Sequence, residues 1–358
     1  MRQKKFDYNA WCGYIPFEES ALRLPNLIYG AGNFGQRVCR ALQRPNLPVI
    51  GFLDRRATPG MNWEGVPIYP PDWQRARDDV NVLMALHNRE VALLPLIADL
   101  QQRGYKNIIL PMQFYDMLGD AIGDAYWLGA RVQYARWQEE IEAADALWAD
   151  SVSRQCYRAV LRFRLTGDLA TLPVPDVARQ YFPADLPAWP SPLRFVDCGA
   201  YVGDTLSNAR QLGVEIESAM LFEPDLSHFA TLTEYVRQNW NITVFSWPCA
   251  VFSSSTQLQF VADGAEGGKL NDEGSVVQAI ALDDVLQGYA PTLIKMDIEG
   301  AEMEALNGAR RLIEAHRPGL AVCVYHRPAD LWRVAALLQG WRLGYRFYLR
   351  LHGQNFLI

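Results

Sequence analysis

Short apolar runs, each followed by a glycine-rich turn or an acidic residue, recur along the chain. The first run leads into Gly30-Ala-Gly-Asn-Phe-Gly35, after which Arg37–Leu42 continues as a predicted helix. A second run, Val49–Leu53, ends at Asp54, nineteen residues after the last glycine of the turn. The order strand, glycine turn, helix, strand and acid is typical of a Rossmann-like dinucleotide-binding unit.

Further elements complete this N-terminal unit, which we predict to be a small Rossmann-like domain over residues 1–118. Strands are predicted at Val80–Leu86 and Asn107–Leu110, with a helix over Val91–Arg103 between them. His87, which follows the first of these strands, is interpreted as a solvated or packing histidine.

Nucleotide binding by this unit is a separate question. Three glycines would let the backbone approach a pyrophosphate: Gly30, Gly32 and Gly35. Asp54 would suit the ribose of NAD, whereas the two arginines that follow it would suit a 2′-phosphate. No hydride-transfer constellation is evident. Two interpretations therefore stay open, a site for NAD or another nucleotide and a fold used only for packing or recognition.

A second series of the same kind begins near residue 193. An apolar run ends at Asp197, and Gly199 and Gly203 in the turn after it would bring bare backbone against a ligand. Glu223 closes the next apolar run, twenty residues after Gly203. In doubly wound folds an acid at this point accepts hydrogen bonds from ribose hydroxyls. The pattern therefore predicts a cofactor at this edge of a parallel sheet.

Two carboxylates follow a later predicted strand. The run Leu293–Met296 stops at Asp297, and Glu299 lies two residues further on, just before a helix predicted over Ala301–Ile313. His326 comes after the predicted strand Leu320–Val324. Because open α/β sheets place ligands outside the carboxyl ends of their strands, these three side chains are expected to share one cleft.

Residues 119–192 differ from both series and are predicted to form a helical, proline-rich connector. Arg131–Thr166 carries apolar residues at helical spacing. Six prolines in Leu172–Pro192 exclude a continuous helix there. Within this stretch, Gln180–Pro183 is interpreted either as an aromatic lid over the cofactor pocket or as a linker packed on the surface.

Five motifs of the C-terminal half, in this order, resemble the FkbM family of S-adenosylmethionine (SAM) dependent methyltransferases. They are the glycine turn at 195–205, Ile280–Asp284, Asp297–Gly300, Tyr325-His326 and Tyr345–His352. The resemblance covers roughly Tyr181 to Ile358. It departs from the family pattern at Val202, where related sequences often carry a polar or acidic residue.

The resemblance implies an α/β fold in which a class I, Rossmann-like SAM methyltransferase domain, residues 193–358, follows the smaller Rossmann-like domain and the connector. Its sheet is expected to end in an antiparallel hairpin of Tyr345–Leu351 and Asn355–Ile358. The implied activity is O-methylation of a hydroxyl on a sugar, a polysaccharide or another small molecule.

The resemblance also implies a set of cofactor contacts. The methionine and ribose side of SAM would be lined by Asp197, Gly199, Tyr201, Gly203 and Thr205. Asp197 would hold the methionine ammonium, directly or through water, and Glu223 would take the ribose. Cys249 and Ala250 would lie near the adenine, and Asp297 between cofactor and acceptor.

Catalysis is assigned to the cleft of Asp297, Glu299 and His326. We favour His326 as general base or acceptor-orienting group, because an imidazole titrates near neutral pH. Asp297 would then position the methyl donor or the acceptor. Two alternatives stay open: His326 caps a strand end, or Asp297 and Glu299 hold a divalent metal that acidifies the acceptor hydroxyl. No metal is predicted, because two carboxylates alone are adjacent and no third ligand is obvious.

Composition limits the partners. The 358 residues carry a formal net charge of −6 without a dense basic stripe, which argues against nucleic acid as the main partner. No apolar run approaches the length of a membrane span, and Met1–Asp7 lacks the apolar core of a signal peptide behind it. The six cysteines form no CxxC pair, which fits a reducing cytoplasm. We expect a cytoplasmic protein with a small-molecule or carbohydrate acceptor, its oligomeric state open.

Two other function classes remain as alternatives. One is a nicotinamide-dependent oxidoreductase centred on Gly30–Asp54. Tightly bound nucleotide and turnover of a carbonyl substrate would favour it. The other is a non-catalytic binding or assembly protein that keeps the SAM fold. SAM binding without methyl transfer would favour it.

Overall fold

The chain folds into two compact units. In the computed structural model, residues 7–11, 13–73, 79–86, 91–261, 269–270 and 274–353 are described. The first unit runs to Val177 and also contains the segment from Arg346, and the second unit is Ala178–Tyr345. His87 and Asn355–Ile358 lie outside the described residues. None of the helices in the described ranges has the length and hydrophobicity of a membrane-spanning segment.

Strands and helices alternate in the first unit. Its strands are β1 (Asn26–Tyr29), β2 (Val49–Leu53), β3 (Asn62–Trp63), β4 (Val66–Tyr69), β5 (Asn81–Met84) and β6 (Asn107–Ile109). Its α-helices are α1 (Tyr8–Trp11), α2 (Asn33–Gln43), α3 (Leu93–Gln102), α4 (Pro111–Ile122), α5 (Gln138–Ala144) and α6 (Ser151–Thr166). Short 3-10 turns lie at Glu19–Arg23, Arg131–Trp137 and Asp145–Leu147.

The strands of the first unit form one sheet in the order β3-β4-β2-β1-β5-β6. All neighbours are parallel except β3 and β4. Every residue of the central strands β1 and β5 is buried, as expected for a parallel sheet that is covered on both faces. The predicted Rossmann-like arrangement of this unit is therefore confirmed.

The region predicted to be helical, Arg131–Thr166, forms four pieces instead of one helix. The interruption follows Leu147, where Trp148 adopts extended backbone. Asp150 then caps α6, its side chain accepting a hydrogen bond from the backbone N–H of Ser153. Most apolar residues at the helical spacing are buried, but Val152 is 50% exposed. The local capping residues determine where α6 begins.

The prediction that the chain ends in a hairpin of the methyltransferase sheet is wrong for its described part. Tyr345–Leu351 contains no strand, and from Arg346 onward the chain belongs to the first unit. There the backbone N–H of Leu349 donates to the Ser153 hydroxyl at 3.0 Å, and Arg350 pairs with Asp150 at 2.9 Å. These contacts at the start of α6 replace the pairing with a sheet edge.

The second unit has nine strands. They are β7 (Leu193–Cys198), β8 (Ile216–Phe222), β9 (Thr243–Trp247), β10 (Ala250–Val251), β11 (Thr256–Val261), β12 (Lys269–Leu270), β13 (Ser275–Ile280), β14 (Leu293–Met296) and β15 (Gly319–Val322), counted over the described residues. The helices are α7 (Asp204–Gln211), α8 (Leu226–Asn239), α9 (Leu282–Val285), α10 (Glu302–Gly308), α11 (Arg310–His316) and α12 (Asp330–Gly340).

Two sheets result in this unit. A parallel sheet has the order β15-β14-β7-β8-β9, and a smaller sheet has the order β10-β13-β11-β12. The helix expected over Ala301–Ile313 is divided into α10 and α11 near Gly308. A Cβ at Gly308 would lie 2.0 Å from the carbonyl oxygen of Phe252, so the close approach of these two backbones requires glycine there.

Candidate active site

The carboxyl ends of β7, β8 and β14 meet at one edge of the parallel sheet, because β7 lies between the other two strands. The turn after β7 packs directly on the end of β14. Gly199 adopts a φ of +79°, and a Cβ there would lie 1.9 Å from the backbone oxygen of Asp297. The first glycine of the turn is therefore required for packing between two strand ends, whatever ligand the turn binds.

Glu223 connects the glycine turn to the end of β8. Its Oε2 accepts the backbone N–H of Tyr201 at 2.9 Å, and its Oε1 accepts that of Asp225 at 2.9 Å. Burial raises the pKa of Glu223 despite these two donors. Each oxygen keeps a second lone pair, so the carboxylate can accept further hydrogen bonds.

Asp197 lies beneath the turn, fully buried, and pairs with Lys295 of β14 at 2.9 Å. The Lys295 ammonium also donates to the backbone oxygen of Gly199 at 2.5 Å. Burial alone would lower the pKa of Lys295, but the carboxylate of Asp197 outweighs it and raises that pKa, so the ammonium stays protonated. Asp197 thus has a partner within the protein, at its Oδ1, and its predicted contact with the methionine ammonium stays a prediction.

Asp297, at the end of β14, accepts hydrogen bonds from two phenols. Tyr181 donates to Oδ2 at 2.6 Å and Tyr325 donates to Oδ1 at 2.9 Å. Burial would raise the pKa of Asp297, but His326, Lys295 and these phenols outweigh it and lower the pKa, so the group is a carboxylate. Tyr181 is buried at this sheet edge, so the proline-rich stretch contributes a side chain to the site.

His326 faces three carboxylates. Its Nδ1 lies 2.8 Å from Oε1 of Glu302, and its Nε2 lies 3.3 Å from Oδ1 of Asp297 and 3.7 Å from Oε2 of Glu299. Burial would lower the pKa of His326, but Glu302, Glu299 and Asp297 together raise it to about 9. At neutral pH the ring is therefore an imidazolium, which donates hydrogen bonds and takes up no further proton.

The backbone after β14 is strained where it presents the second carboxylate. Glu299 has a φ of +58° and Gly300 a φ of +96°. A left-handed conformation costs a non-glycine residue about 1–3 kcal/mol. The turn is held by the backbone N–H of Ile298, which donates to Oε1 of Glu302 at 2.9 Å. Glu299 thus points its carboxylate toward His326 at the expense of local backbone energy.

The remaining predicted cofactor residues lie in or just after the glycine turn that follows β7, or just after β9. The ring of Tyr201 contacts that of His228 edge-on, Gly203 begins α7 with a φ of +90°, and Thr205 is buried in the first turn of that helix. Cys249 and Ala250 are buried just after β9. Burial raises the pKa of Cys249 to about 12, so this thiol is neutral.

The glycine turn of the first unit has its predicted tight geometry. A Cβ at Gly35 would lie 1.9 Å from the backbone oxygen of Gly30, whereas a Cβ at Gly32 would meet no atom within 4 Å. Asp54 accepts the backbone N–H of Ala31 at 3.0 Å, and Arg56 bridges both of its carboxylate oxygens. The acid at the second strand is thus engaged within the protein, while the space beside Gly32 is open.

The sequence analysis did not identify Lys295 or Glu302 as residues of the site. It also did not predict the contact between Tyr181 and Asp297. A lysine inside the apolar run of β14 is a usable signal, because a buried ammonium needs a charged partner. Glu302 stands in the first turn of a predicted helix, where an acid is common for capping, so its position alone gave no sign of a histidine partner.

Comparison with known proteins finds two similarities. Residues 197–347 match the family model described as the Methyltransferase FkbM domain. The crystal structure of Methyltransferase FkbM from Methylobacillus flagellatus KT is similar to the chain with a TM-score of 0.72, 24% sequence identity, and coverage of 92% of this chain and 87% of that one. At this identity the likeness concerns the fold. No curated protein sequence is significantly similar to the chain.

Proposed function

Since residues 197–347 match the Methyltransferase FkbM domain, we propose that this protein transfers the methyl group of SAM to a hydroxyl oxygen of a small-molecule or carbohydrate acceptor. The observation that carries the proposal is the hydrogen bond between Glu223 and the backbone of Tyr201. It joins the glycine turn after β7 to the acid after β8, the two parts from which doubly wound folds build a nucleoside site.

The residues at this edge fit a SAM-type cofactor. Glu223 is 6% exposed, and each of its oxygens accepts one backbone N–H and retains a lone pair for a ribose hydroxyl. The turn of Gly199 and Tyr201 would lie along the same ligand. Asp197 acts through Lys295, which fixes the turn by its bond to the Gly199 carbonyl. SAM, when bound, supplies an electrophilic methyl group on a sulfonium.

Asp297, Glu299 and His326 form the acceptor end of the proposed site. Asp297 is an anion held by two phenols, which favours a cationic sulfonium near it and gives a hydroxyl an oxygen to donate to. The imidazolium form of His326 supports the acceptor-orienting role over the general-base role in the free protein. Most of the acceleration would come from holding the acceptor oxygen in line with the methyl carbon.

The proposal is tested by calorimetry of the purified protein with SAM and with S-adenosylhomocysteine. Both are expected to bind at one site per chain and to compete with each other. Release of S-adenosylhomocysteine would then be followed in the presence of nucleotide sugars, oligosaccharides and small hydroxylated compounds. A folded protein that binds neither cofactor would overturn the proposal, and binding without turnover of any acceptor would support the non-catalytic alternative.

A further inference from the structure

Four titratable side chains converge after β14 and β15: Asp297, Glu299, Glu302 and His326. His326 is the ion-pair partner of all three carboxylates, at 3.3, 3.7 and 2.8 Å respectively for Asp297, Glu299 and Glu302. One carboxylate oxygen each of Asp297 and Glu302 and one ring nitrogen of His326 lie within 4.8 Å of one another. Glu302, which begins α10, is thus the member of the cluster that the sequence analysis did not identify.

The carboxylate of Glu302 is buried, and one of its two oxygens has no hydrogen-bond partner among the described residues. The Glu302 side chain is 0% and that of His326 1% exposed. A buried polar atom that is left without a hydrogen bond destabilises a protein. Among the described residues, Oε2 of Glu302 is buried without a hydrogen-bond partner, although Oε1 accepts from Ile298. This oxygen is therefore available to coordinate a cation.

We propose that this cluster binds a divalent metal cation, with Asp297, Glu302 and His326 as ligands and Glu299 as a further oxygen donor on the partly exposed side. The cation would displace the proton of the His326 ring, because only a neutral imidazole coordinates a metal. A ligand set of carboxylate oxygens and a single imidazole suits Mg²⁺ or Mn²⁺. Soft metals prefer sulfur ligands, which this cluster does not offer. The side chains of Asp297 and Glu299 are 18% and 17% exposed, so water or an acceptor hydroxyl would reach the cation from this side of the cluster.

The role of the cation rests on the proposed function, whereas its binding does not. A metal beside Asp297 would orient an acceptor hydroxyl and lower its pKa, which makes the oxygen a better nucleophile. Binding can be measured on the protein alone, and SAM binding can be measured in EDTA. If the protein binds SAM but no metal, this inference fails and the methyltransferase proposal stands. If it binds the metal but not SAM, the methyltransferase proposal fails and the metal site stands.

Binding of Mn²⁺ to untagged, EDTA-treated full-length protein tests the inference, by calorimetry and by the loss of the free Mn²⁺ signal in electron paramagnetic resonance. We expect one Mn²⁺ per chain, displaced by excess Mg²⁺. Glu302→Gln keeps the size of the side chain and removes a ligand charge, so Mn²⁺ affinity should fall by at least about tenfold. Glu304→Gln, on the same helix, is the matched control and should bind as the wild type does.

Buried Glu302 also supports the fold, so circular dichroism and melting are recorded for each variant. If Glu302→Gln fails to fold, Asp297→Asn, at the more exposed side of the cluster, replaces it with the same expected loss. Absence of Mn²⁺ and Mg²⁺ binding by folded wild-type protein would overturn the inference. So would equal affinity in wild type and a folded ligand variant, or an equal loss in Glu304→Gln.

Discussion

Lys295 and Asp197 form a buried ion pair at 2.9 Å that links β14 to the start of the glycine turn. Because the same ammonium donates to the Gly199 carbonyl, the pair joins the acceptor-side strand to the expected cofactor loop. Neither residue has solvent to compensate its charge, with side chains 3% and 0% exposed. The relationship makes the stability of the turn dependent on both partners at once.

Breaking this pair should be strongly destabilising. Lys295→Met leaves the Asp197 carboxylate buried and unpaired, and loss of one partner of a buried pair costs about 3–5 kcal/mol. Urea unfolding of the wild type and the variant measures the difference. The double variant with Asp197→Leu should recover a large part of the loss, since no charge is then buried. A decrease below about 1 kcal/mol in Lys295→Met would contradict the ion pair.

Replacing Glu223 should weaken SAM binding. Glu223→Ala removes a charged acceptor, and hydrogen bonds to charged groups contribute roughly 1.5–3 kcal/mol. The dissociation constant measured by calorimetry should rise by at least about tenfold. Some stability should be lost as well, because the backbone N–H groups of Tyr201 and Asp225 lose their acceptor. Glu217→Ala, an exposed position on the same strand, is the control; unchanged affinity in Glu223→Ala would remove the ribose assignment.

Two glycines of the first unit should respond oppositely to a methyl group. At Gly35 the new Cβ would lie 1.9 Å from the Gly30 oxygen, so Gly35→Ala forces a backbone shift that costs about 1–3 kcal/mol or more. At Gly32 nothing lies within 4 Å, so Gly32→Ala should cost less than about 1 kcal/mol. Thermal melts of both variants decide the matter, and similar melting temperatures would show that the turn is not packed as described.

Nucleotide binding by the first unit has its own test. If the turn binds a nucleotide, then NAD, NADP or a nucleotide sugar should raise the melting temperature of the protein, because a ligand selective for the folded state stabilises that state. Gly32→Val fills the open space beside the turn and should abolish the rise. No shift with any of these ligands would leave the unit as a scaffold, and an equal rise in Gly32→Val would place the ligand elsewhere.

The contribution of Asp150 should depend on pH in a defined direction. Burial would raise the pKa of Asp150, but Arg350 and Ser153 outweigh it and lower the pKa to about 2. The unfolded value is about 3.9, so the stabilisation is complete above that pH and is lost as pH falls toward 2. Asp150→Asn keeps an N-cap residue and removes the charge. Its melting temperature should lie below that of the wild type at pH 7, with the gap narrowing below pH 4; a constant gap would contradict the ion pair with Arg350.

The sequence predicted the parts of the site that lie on single strand ends. Glycine at 199 and acids at 223 and 297 each follow an apolar run, and local spacing is enough to place them at one sheet edge. Lys295 and Glu302 were missed because their roles depend on a partner in another strand or turn. Pairing across the sheet is a tertiary relationship, which no local period reports.

The predicted C-terminal hairpin shows a case in which the local pattern was misleading. Alternating polar and apolar residues after Tyr345 suit a strand, and the parallel sheet offered an edge for it. Arg350 instead finds a carboxylate and a hydroxyl at the start of α6, in the unit that begins the chain. Specific polar partners outweighed a general preference for extended pairing, and these partners lie 200 and 197 positions away along the chain.

That return of the chain affects the order of events during synthesis. The contact between Asp150 and Arg350 spans 200 residues, and the whole of Ala178–Tyr345 lies between its partners. On the ribosome, the later unit can therefore complete its sheet while the earlier one still lacks the segment that binds beside α6. A chain stopped at Tyr345 would carry an intact second sheet and an unfinished first unit, exposing the side chains of Asp150 and Ser153 to other partners.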